Sequence, residues 1–329
     1  MIISSAPGRC GVVGNPTDMY GGSVISCTTT ECAHCTIEKA TSLILRAGDC
    51  VQEIKDVDDL RLTGDYLDIS KAVLTHFHVD PAKFHAEMRT WTDVPEQAGL
   101  AGSTALVVAV LGAVAAKLGI KMDPYCVAET ARKIEFGIMR ITCGFQDQHM
   151  ASFGGLNFID LREKERMAQD DDEPLATVEP MAGLVRDLPI LLAHTGIMRN
   201  SGVVHKSIRD RWLDGEPAVV DGYLRIAHLA RLGKKALLLS DWTLLGELMN
   251  ENHSIQRDLG GSGTHNEVLI EAALAAGALG AKLAGAGKGG TIIALAKDTE
   301  SIAKALTDAG AKRILWPKPS PGLTVEVRT

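Results

Sequence analysis

The sequence predicts helices packed closely against a sheet, in a chain with enough apolar residues for two domains. Of its 329 residues, 46% are hydrophobic but only 4% are aromatic. Glycine is plentiful, with 33 copies, and small residues let helices approach a sheet closely. A chain of this length favours two domains over one large domain. Strand-like segments fill the first third and helical segments follow, which indicates a protein of mixed strand and helix.

Charge and hydropathy exclude several classes of partner. The formal net charge of -7 does not fit a surface for nucleic acid or for an anionic membrane. The first 20 residues do not show a positively charged start followed by an apolar run, so no signal peptide is expected. The apolar stretch from Ala105 carries Lys117 and Lys121 and is too short to cross a bilayer. We therefore expect a cytoplasmic protein that acts on a small molecule, without nucleic acid or membrane partners.

The first half of the chain reads as strands, then helices, then a returning strand. Strands are predicted over residues 1–14 and 23–38, followed by polar turns near "RAGD" and "LTGD". Helices are predicted over residues 103–118 and 124–137, the second with Asp123 as its N-cap. The segment "GGLNFIDLRE" reads as a strand. The charged stretch "MAQDDDEP" reads as a solvated loop, and we place a domain boundary near residue 180, between residues 1–180 and 181–329.

The second half alternates strands with longer helical segments. "LPILLAHTG" predicts a buried strand, and helices are predicted over residues 202–213, 218–232 and 237–249. Residues 264–280 predict a helix that starts at Thr264 and stops at Gly280. Two strands flank a glycine-rich loop, and "TESIAKALTDAG" predicts a last helix before a closing strand.

The seven cysteines indicate free thiols. All lie between Cys10 and Cys143, and an odd count in a large chain without a signal peptide argues against a disulfide framework. Cys32 and Cys35 have CxxC spacing but lie in a strand-like run. An offset of three on a strand places the two sulfur atoms on opposite faces, so we do not expect them to share a metal ion.

Two glycine clusters are candidates for phosphate binding. "GLAGSTA", from Gly99, precedes a long apolar helix, and a helix start offers unpaired N–H groups and a partial positive charge. The same residues also fit a plain N-cap, and the Gly-Lys-Ser/Thr ending of a Walker A loop is missing. "AGAGKGG", residues 284–290, has more glycines than a tight turn needs, which indicates backbone close to a ligand. Lys288 could contact phosphate or lie in solvent.

Two further segments carry carboxylates. "APGRCGVVGNPTD" ends on Asp18, which could serve a ligand or simply bond its own turn. In "GFQDQHMASFGG", Asp147 lies between two glutamines, and Glu135 lies 12 residues upstream near the end of a predicted helix. Two carboxylates brought together suit a metal ligand and a base, but their spacing in the sequence leaves open whether they meet.

Taken in this order, the four segments resemble the motifs of the GHMP kinases. "APGRCGVVGNPTD", "EQAGLAGSTALV" and "KLAGAGKGGTIIAL" match the first, phosphate-loop and late glycine motifs along nearly the whole chain. The resemblance implies an α+β fold, with an N-terminal domain like ribosomal protein S5 domain 2 and a ferredoxin-like C-terminal domain. It implies an ATP-dependent phosphotransferase with an alcohol group as acceptor. The loop has "GST" where many members have "GSS", and Lys288 replaces a glycine.

The resemblance also implies a role for each motif residue. ATP and Mg²⁺ are the implied cofactors. Asp147 would accept or orient the hydroxyl proton, Arg9 would keep the Asp147 carboxylate ionised, and Asp18 would bind sugar hydroxyls. The implied nucleotide and metal residues are Gly99, Leu100, Ala101, Gly102, Ser103, Thr104, Gly285 and Gly287 for ATP, and Ser103 or Thr104 with Glu135 for Mg²⁺.

The acceptor is expected to be a sugar. "GFQDQHMASFGGLNFID" resembles the heptose-7-phosphate kinase and glucuronokinase branches, and "NPTDMYGGSVIS" with "SGVVHKSIRDRWLDGE" favours the glucuronokinase branch. Arg199 or Lys206, in a basic stretch, is a candidate to read a carboxylate or phosphate on the sugar. The alternative for that stretch is a solvated helix face. Because a fold does not fix function, a non-catalytic sugar or nucleotide sensor is the rival class.

Overall fold

The first sheet is built on two long N-terminal strands. The computed structural model describes residues 1–164, 173–197, 208–285, 287 and 290–328. β1 (Ile2–Val13) and β2 (Ser23–Lys39) pair antiparallel, with Ile2 opposite Ile37. The remaining strands of this sheet are β3 (Leu43–Ala47), β4 (Cys50–Ile54), β5 (Ala86–Thr92), β6 (Leu156–Asp160), β7 (Thr177–Pro180) and β12 (Thr324–Val327). The strand order is β12-β1-β2-β5-β3-β4, and β6 pairs with β2 and with β7.

Four helices accompany this sheet: α1 (Asp68–His76), α2 (Gly102–Leu118), α3 (Pro124–Lys133) and α4 (Gln146–Phe153). α2 is buried along most of its length because its side chains are small or aliphatic. A Cβ atom at Gly112 would lie 2.7 Å from the Leu323 side chain, so this glycine permits the close packing. Asp123 caps α3 by accepting from the Cys126 N–H at 3.0 Å, as predicted. A π-helical turn, Ile134–Ile138, continues α3 and carries Glu135.

The second sheet has the ferredoxin-like order. β8 (Ile190–His194), β9 (Gly280–Leu283), β10 (Thr291–Leu295) and β11 (Arg313–Leu315) are antiparallel in the order β11-β8-β10-β9. Counted along this sheet the order is 4-1-3-2, which confirms the expected α+β class and C-terminal fold. The longer helices of this half of the chain are α5 (Pro217–Leu238), α6 (Trp242–Asp258), α7 (Thr264–Ala275) and α8 (Thr299–Asp308).

One buried apolar cluster joins the two sheets. Val12 and Ile25 of the first sheet belong to the same buried cluster as Leu192 and Ile293 of the second. The division near residue 180 stays a prediction, with β7 ending at Pro180 and β8 beginning at Ile190. The last strand, however, returns to the first sheet, where Val327 pairs with Ile2. No helix in the described ranges is long and apolar enough to cross a membrane, and the cytoplasmic location stays a prediction.

Several helix boundaries predicted from the sequence were wrong. The predicted helix 218–232 continues to Leu238, since Gly233 lies close to the Val13 side chain and does not end it. The next helix begins at Trp242 instead of residue 237, because Asp241 caps it at the Leu244 N–H. For the predicted helix 264–280, α7 ends at Ala275, and Gly280 instead begins β9.

Other segments of the chain were missed or lie outside the description. α1 was not predicted, because the first third of the sequence reads as strands and turns, and the strands β3, β4 and β5 were not predicted either. Within the predicted helix 202–213, residues 208–213 are helical and residues 202–207 lie outside the described residues. Most of the acidic loop also lies outside them.

Candidate active site

A cavity of about 420 Å³ brings the four sequence motifs together. It lies at the start of α2 and the start of α4, beside the turn that joins β1 to β2. Among the predicted site residues, the cavity is lined by Arg9, Asp18, Gly99, Ala101, Gly102, Ser103, Thr104, Glu135, Asp147 and Gly285. These residues come from positions 9 to 285, so the cavity is a product of the whole fold.

The start of α2 is left without a side-chain cap. Ala101 occupies the N-cap position with a left-handed backbone, φ 60°, and its side chain makes no capping bond. Gly99 also has a positive φ of 77°. An uncapped helix start presents free N–H groups and a partial positive charge, which suits an anion. A Cβ at Gly102 would lie 3.2 Å from the Val94 side chain, so this position has little spare room.

Arg9 joins the loop of residues 99–104, called the phosphate loop below, to Asp147. Its Nε and Nη2 lie 2.7 and 2.6 Å from the same oxygen, Oδ1 of Asp147. Its Nη1 donates to the Gly99 carbonyl at 2.8 Å, and its backbone N–H donates to the Leu100 carbonyl at 2.9 Å. Within the described ranges, no hydrogen bond reaches Oδ2 of Asp147. The Asp147 side chain keeps 29% exposure against 8% for Arg9, so the carboxylate stays accessible from the cavity.

Asp18 caps the start of α4. Its Oδ2 accepts from the Phe145 N–H at 3.0 Å and from the Gln146 N–H at 3.1 Å. A Cβ at Gly144 would lie 1.9 Å from that oxygen, so only glycine fits beside it. Burial raises the pKa of Asp18, and the charge of nearby Asp147 raises it further. Asp18 thus fixes the helix that carries Asp147.

Glu135 connects α2 to α4 through its two oxygens. Oε1 accepts from the Thr104 hydroxyl at 2.8 Å, and Oε2 accepts from Gln148 Nε2 at 2.5 Å. Burial raises the pKa of Glu135 to about 7, despite these two hydrogen bonds. The charge of Arg132 lowers this pKa, but by less than burial raises it. A carboxylate and hydroxyls at the start of α2 are oxygen donors of the kind that Mg²⁺ prefers, together with phosphates, so the residues present fit that ion.

The late glycine loop lies against the phosphate loop. A Cβ at Gly285 would lie 2.8 Å from the Gly99 carbonyl oxygen, and one at Gly287 would lie 1.9 Å from the Gly261 carbonyl oxygen. Both positions therefore require glycine for close backbone approach. Lys288 lies outside the described residues.

The structure places some predicted residues away from the cavity or does not describe them. Leu100 is buried and does not line the cavity, and Gly287 is not among its lining residues either. Arg199 and Lys206 lie outside the described residues. Cys32 is half-buried on β2, whereas Cys35 is fully buried, and all seven cysteines are free thiols.

Sequence reasoning missed several residues of the site. One of them is Gln148, which donates to Glu135. Its position next to Asp147 in the sequence was the signal that could have identified it. Asn15 lines the cavity from the turn before Asp18. Tyr66 and Ile69 line it from the start of α1, a helix that the sequence did not reveal.

Two family profiles match the chain. "GHMP kinases N terminal domain" matches residues 68–155, and "GHMP kinases C terminal" matches residues 234–312. The first includes the phosphate loop, Glu135 and Asp147, and the second includes Lys282. Fold and matches together define a kinase, a phosphotransferase that uses ATP and an alcohol group as acceptor.

The chain belongs to the GHMP kinase family. It is similar to "Probable glucuronokinase 2" of Arabidopsis thaliana, 29% identical over 324 residues, with 91% of this chain and 86% of the relative covered. It is similar to the mevalonate kinase of Thermococcus gammatolerans, 32% identical, with 71% and 67% covered. The D-glycero-alpha-D-manno-heptose 7-phosphate kinase of Campylobacter jejuni is 28% identical, with 88% and 87% covered.

A solved structure shares the fold. The galactokinase of Lactococcus lactis, complexed with galactose, superposes with a TM-score of 0.79 at 19% sequence identity. The comparison covers 98% of this chain and 95% of that one. Both domains are therefore arranged as in a known kinase of this fold.

Proposed function

We propose that the chain is a sugar kinase that transfers the γ-phosphoryl group of ATP to a sugar hydroxyl, as a glucuronokinase-like sugar 1-kinase. The observation that carries this proposal is the Arg9–Asp147 pair. Arg9 contacts the loop before α2, and the pair lines the same cavity as Asp18, in the turn that joins β1 to β2. The glucuronokinase relative supports the sugar class, because its similarity runs through 91% of the chain.

ATP is proposed to bind with its phosphates at the start of α2. The loop Gly99–Thr104 supplies the uncapped amides, and Gly285 lies close to it, whereas Gly287, also proposed for ATP, lies against Gly261. Ser103 is exposed at the start of this helix, whereas Thr104 is buried and its hydroxyl donates to Glu135.

Mg²⁺ is proposed to be held by Glu135 with Ser103 or Thr104. The ion, when bound, would neutralise charge on the phosphates and on the Glu135 carboxylate. What the chain itself contributes is placement, because the Thr104 hydroxyl and Gln148 amide orient both oxygens of Glu135.

Asp147 is proposed to accept the proton of the attacking sugar hydroxyl. Arg9 occupies Oδ1 with two nitrogen atoms, which leaves Oδ2 for the hydroxyl. Since Arg9 also holds the Gly99 carbonyl, the base and the phosphate loop keep a fixed separation. In phosphoryl transfer such positioning and charge placement supply most of the catalysis.

The acceptor is proposed to lie next to Asp18 and to carry an anionic group. Asp18 uses one oxygen for the α4 cap and lines the cavity, so its other oxygen suits a sugar hydroxyl. Arg199 or Lys206 is proposed to bind a carboxylate or phosphate of the sugar, although both lie outside the described residues. Neutral hexoses should then be poor substrates.

A heptose-phosphate kinase is the second candidate, favoured by the Campylobacter jejuni relative. A non-catalytic sensor is opposed by the presence of both carboxylates and of the hydroxyl-bearing loop in one cavity.

ADP release measured with a panel of acceptors tests the proposal. The panel contains glucuronic and galacturonic acids, heptose phosphates, neutral hexoses and mevalonate, each with ATP and Mg²⁺. We expect the largest kcat/KM with a uronic acid. A clear preference for a sugar phosphate would select the second candidate, and a preference for galactose or mevalonate would contradict the anionic-sugar proposal.

A further inference from the structure

Lys282 is a fully buried lysine immediately behind the cavity. It lies on β9, and its Nζ donates to Asn15 Oδ1 at 2.7 Å and to the Leu283 carbonyl at 2.5 Å. No carboxylate in the described ranges lies within ion-pair distance of this ammonium group. The titratable groups that face it are Arg9 and Cys10 of β1 and His253 of α6. Burial lowers the pKa of Lys282 to about 7.

The position of Lys282 is costly, which calls for an explanation. A buried cation without an anionic partner lowers stability, and an apolar side chain of similar volume would avoid that cost. The mechanism proposed above does not use Lys282 directly. Its effect must therefore be sought in the group that it contacts, the side chain of Asn15.

Asn15 connects Lys282 to the late glycine loop. Its Nδ2 donates to the Gly285 carbonyl at 3.3 Å, and its backbone carbonyl accepts from Asn252 at 3.2 Å. A Cβ at Gly11 would lie 2.4 Å from Asn15 Oδ1, so the amide occupies a narrow slot. Both Asn15 and Gly285 line the cavity.

The chemistry of Lys282 decides which way the Asn15 amide faces. The ammonium form of Lys282 has donors only, and the neutral amine keeps two N–H donors for the two oxygens that Nζ contacts, so in both forms a donor meets the amide oxygen on this side of the slot. The amide nitrogen is then directed at the Gly285 carbonyl. In the flipped orientation, two donors would face each other at Lys282 and two acceptors would face each other at Gly285. Lys282 therefore imposes one of two amide orientations.

We propose that Lys282 is a positioning residue that orients the Asn15 amide and so holds the late glycine loop at Gly285 against the phosphate loop at Gly99. This inference rests on the proposed function, because it assumes that these two loops hold ATP. The contact is close, with a Cβ at Gly285 only 2.8 Å from the Gly99 carbonyl oxygen. A small displacement of Gly285 would therefore change the nucleotide side of the cavity.

The first test compares Lys282→Met, Asn15→Ala and the double variant. Binding of a non-hydrolysable ATP analogue is measured by calorimetry, which needs no acceptor. We expect each single variant to bind about tenfold more weakly, the scale of one lost hydrogen bond to a charged donor. If Lys282 acts through Asn15, adding Lys282→Met to Asn15→Ala changes the affinity less than about twofold. If the loss of affinity in the double variant equals the product of the two single losses, the proposal is overturned.

A matched control separates positioning from stability. Leu306→Ala removes a buried side chain of α8, which packs in a separate apolar cluster of the second sheet. It should lower the melting temperature, as core truncations do, without changing the affinity for the analogue. If Leu306→Ala weakens binding as much as Lys282→Met does, the effect of Lys282 is one of stability alone, and the proposal is overturned.

Asn15→Asp keeps the test decisive if Lys282→Met does not fold. The new carboxylate can pair with the Lys282 ammonium, so the melting temperature should equal or exceed that of the wild type. An aspartate cannot donate to the Gly285 carbonyl, so we expect about tenfold weaker binding of the analogue despite the stable fold. Unchanged affinity in this variant would overturn the proposal. If the wild type itself fails to bind the analogue, the proposed ATP site is wrong and this inference is wrong with it.

Discussion

Two helices begin at the same cavity, but only one of them has a side chain that caps its start. α2 begins at Gly102 with no side-chain cap, whereas the start of α4 is capped by the Asp18 carboxylate through two backbone N–H groups. An uncapped start keeps its amides and partial positive charge for a ligand. A capped start uses them internally, which fixes the helix and leaves its first-turn side chain, Asp147, for chemistry.

The difference assigns separate tasks to the two helix starts. Binding of anions belongs to the backbone of α2, and proton transfer belongs to a side chain of α4. Arg9 ties the two starts together, since it contacts the Gly99 carbonyl and Asp147 at once. Substitutions at each helix start should therefore affect different steps.

Removing the carboxylate charge on α4 should abolish most of the activity. Asp147→Asn keeps the shape of the side chain but cannot act as a base, so we expect kcat to fall by roughly 10²-fold or more. Affinity for an ATP analogue should change little, because the start of α2 is untouched. Steady-state kinetics with a thermal melt measures both. A folded variant with near-normal kcat would remove Asp147 from the mechanism.

Glu135, between the two helices, should make stability depend on pH. Its pKa in the fold is about 7, above its ordinary value of 4.5, so the folded state holds the proton more tightly. The stabilisation is therefore complete below pH 4.5 and is lost as the pH rises to 7, by on the order of 3 kcal/mol. Glu135→Gln should flatten this part of the melting-temperature profile.

The same variant tests the metal ligand. Mg²⁺ added with an ATP analogue at pH 8 should raise the melting temperature of the wild type more than that of Glu135→Gln. Equal increases would argue against Glu135 as a ligand, and an unchanged pH profile would contradict its raised pKa.

A side chain at the start of α2 should weaken nucleotide binding. Gly102→Val places a branched side chain where a Cβ already lies 3.2 Å from Val94, next to the amides meant for phosphate. We expect affinity for a non-hydrolysable ATP analogue to fall about tenfold, which corresponds to one well-made hydrogen bond to a charged group. Ala116→Val, in the last turn of the same helix, is the control and should bind normally. Normal binding by Gly102→Val would show that the loop starts the helix and does not bind the nucleotide.

Removing the cap of α4 should have the smallest effect on stability. Asp18→Ala leaves two backbone N–H groups without their acceptor and should cost about 1 kcal/mol of unfolding free energy. Asp18→Asn retains an acceptor oxygen and should recover that loss. If Asp18 also grips the sugar, Asp18→Asn raises the KM for the acceptor while the melting temperature stays near that of the wild type. Unchanged stability in Asp18→Ala would show that the cap is dispensable.

Much of the fold could be predicted from local patterns. β1, β2, α2, α3 and the strand pair around the late glycine loop follow alternation, apolar runs and capping residues. Helix ends were less predictable, because Gly233 looks like a stop but lies within α5, where it packs on Val13. α1 and β5 were missed for a related reason, since their short polar-rich segments are stabilised mainly by the sheet and helices around them.

The sequence by itself determined the glycine loops, the hydroxyls at the start of α2 and the presence of the carboxylates, since backbone freedom and helix-end chemistry depend on neighbouring residues. Only the tertiary structure decided which groups meet. It places Arg9 on Asp147 and Thr104 on Glu135, and it buries Lys282 against Asn15. Those contacts join residues 31 to 267 positions apart, and such distances are set by how sheets and helices pack, which no local pattern encodes.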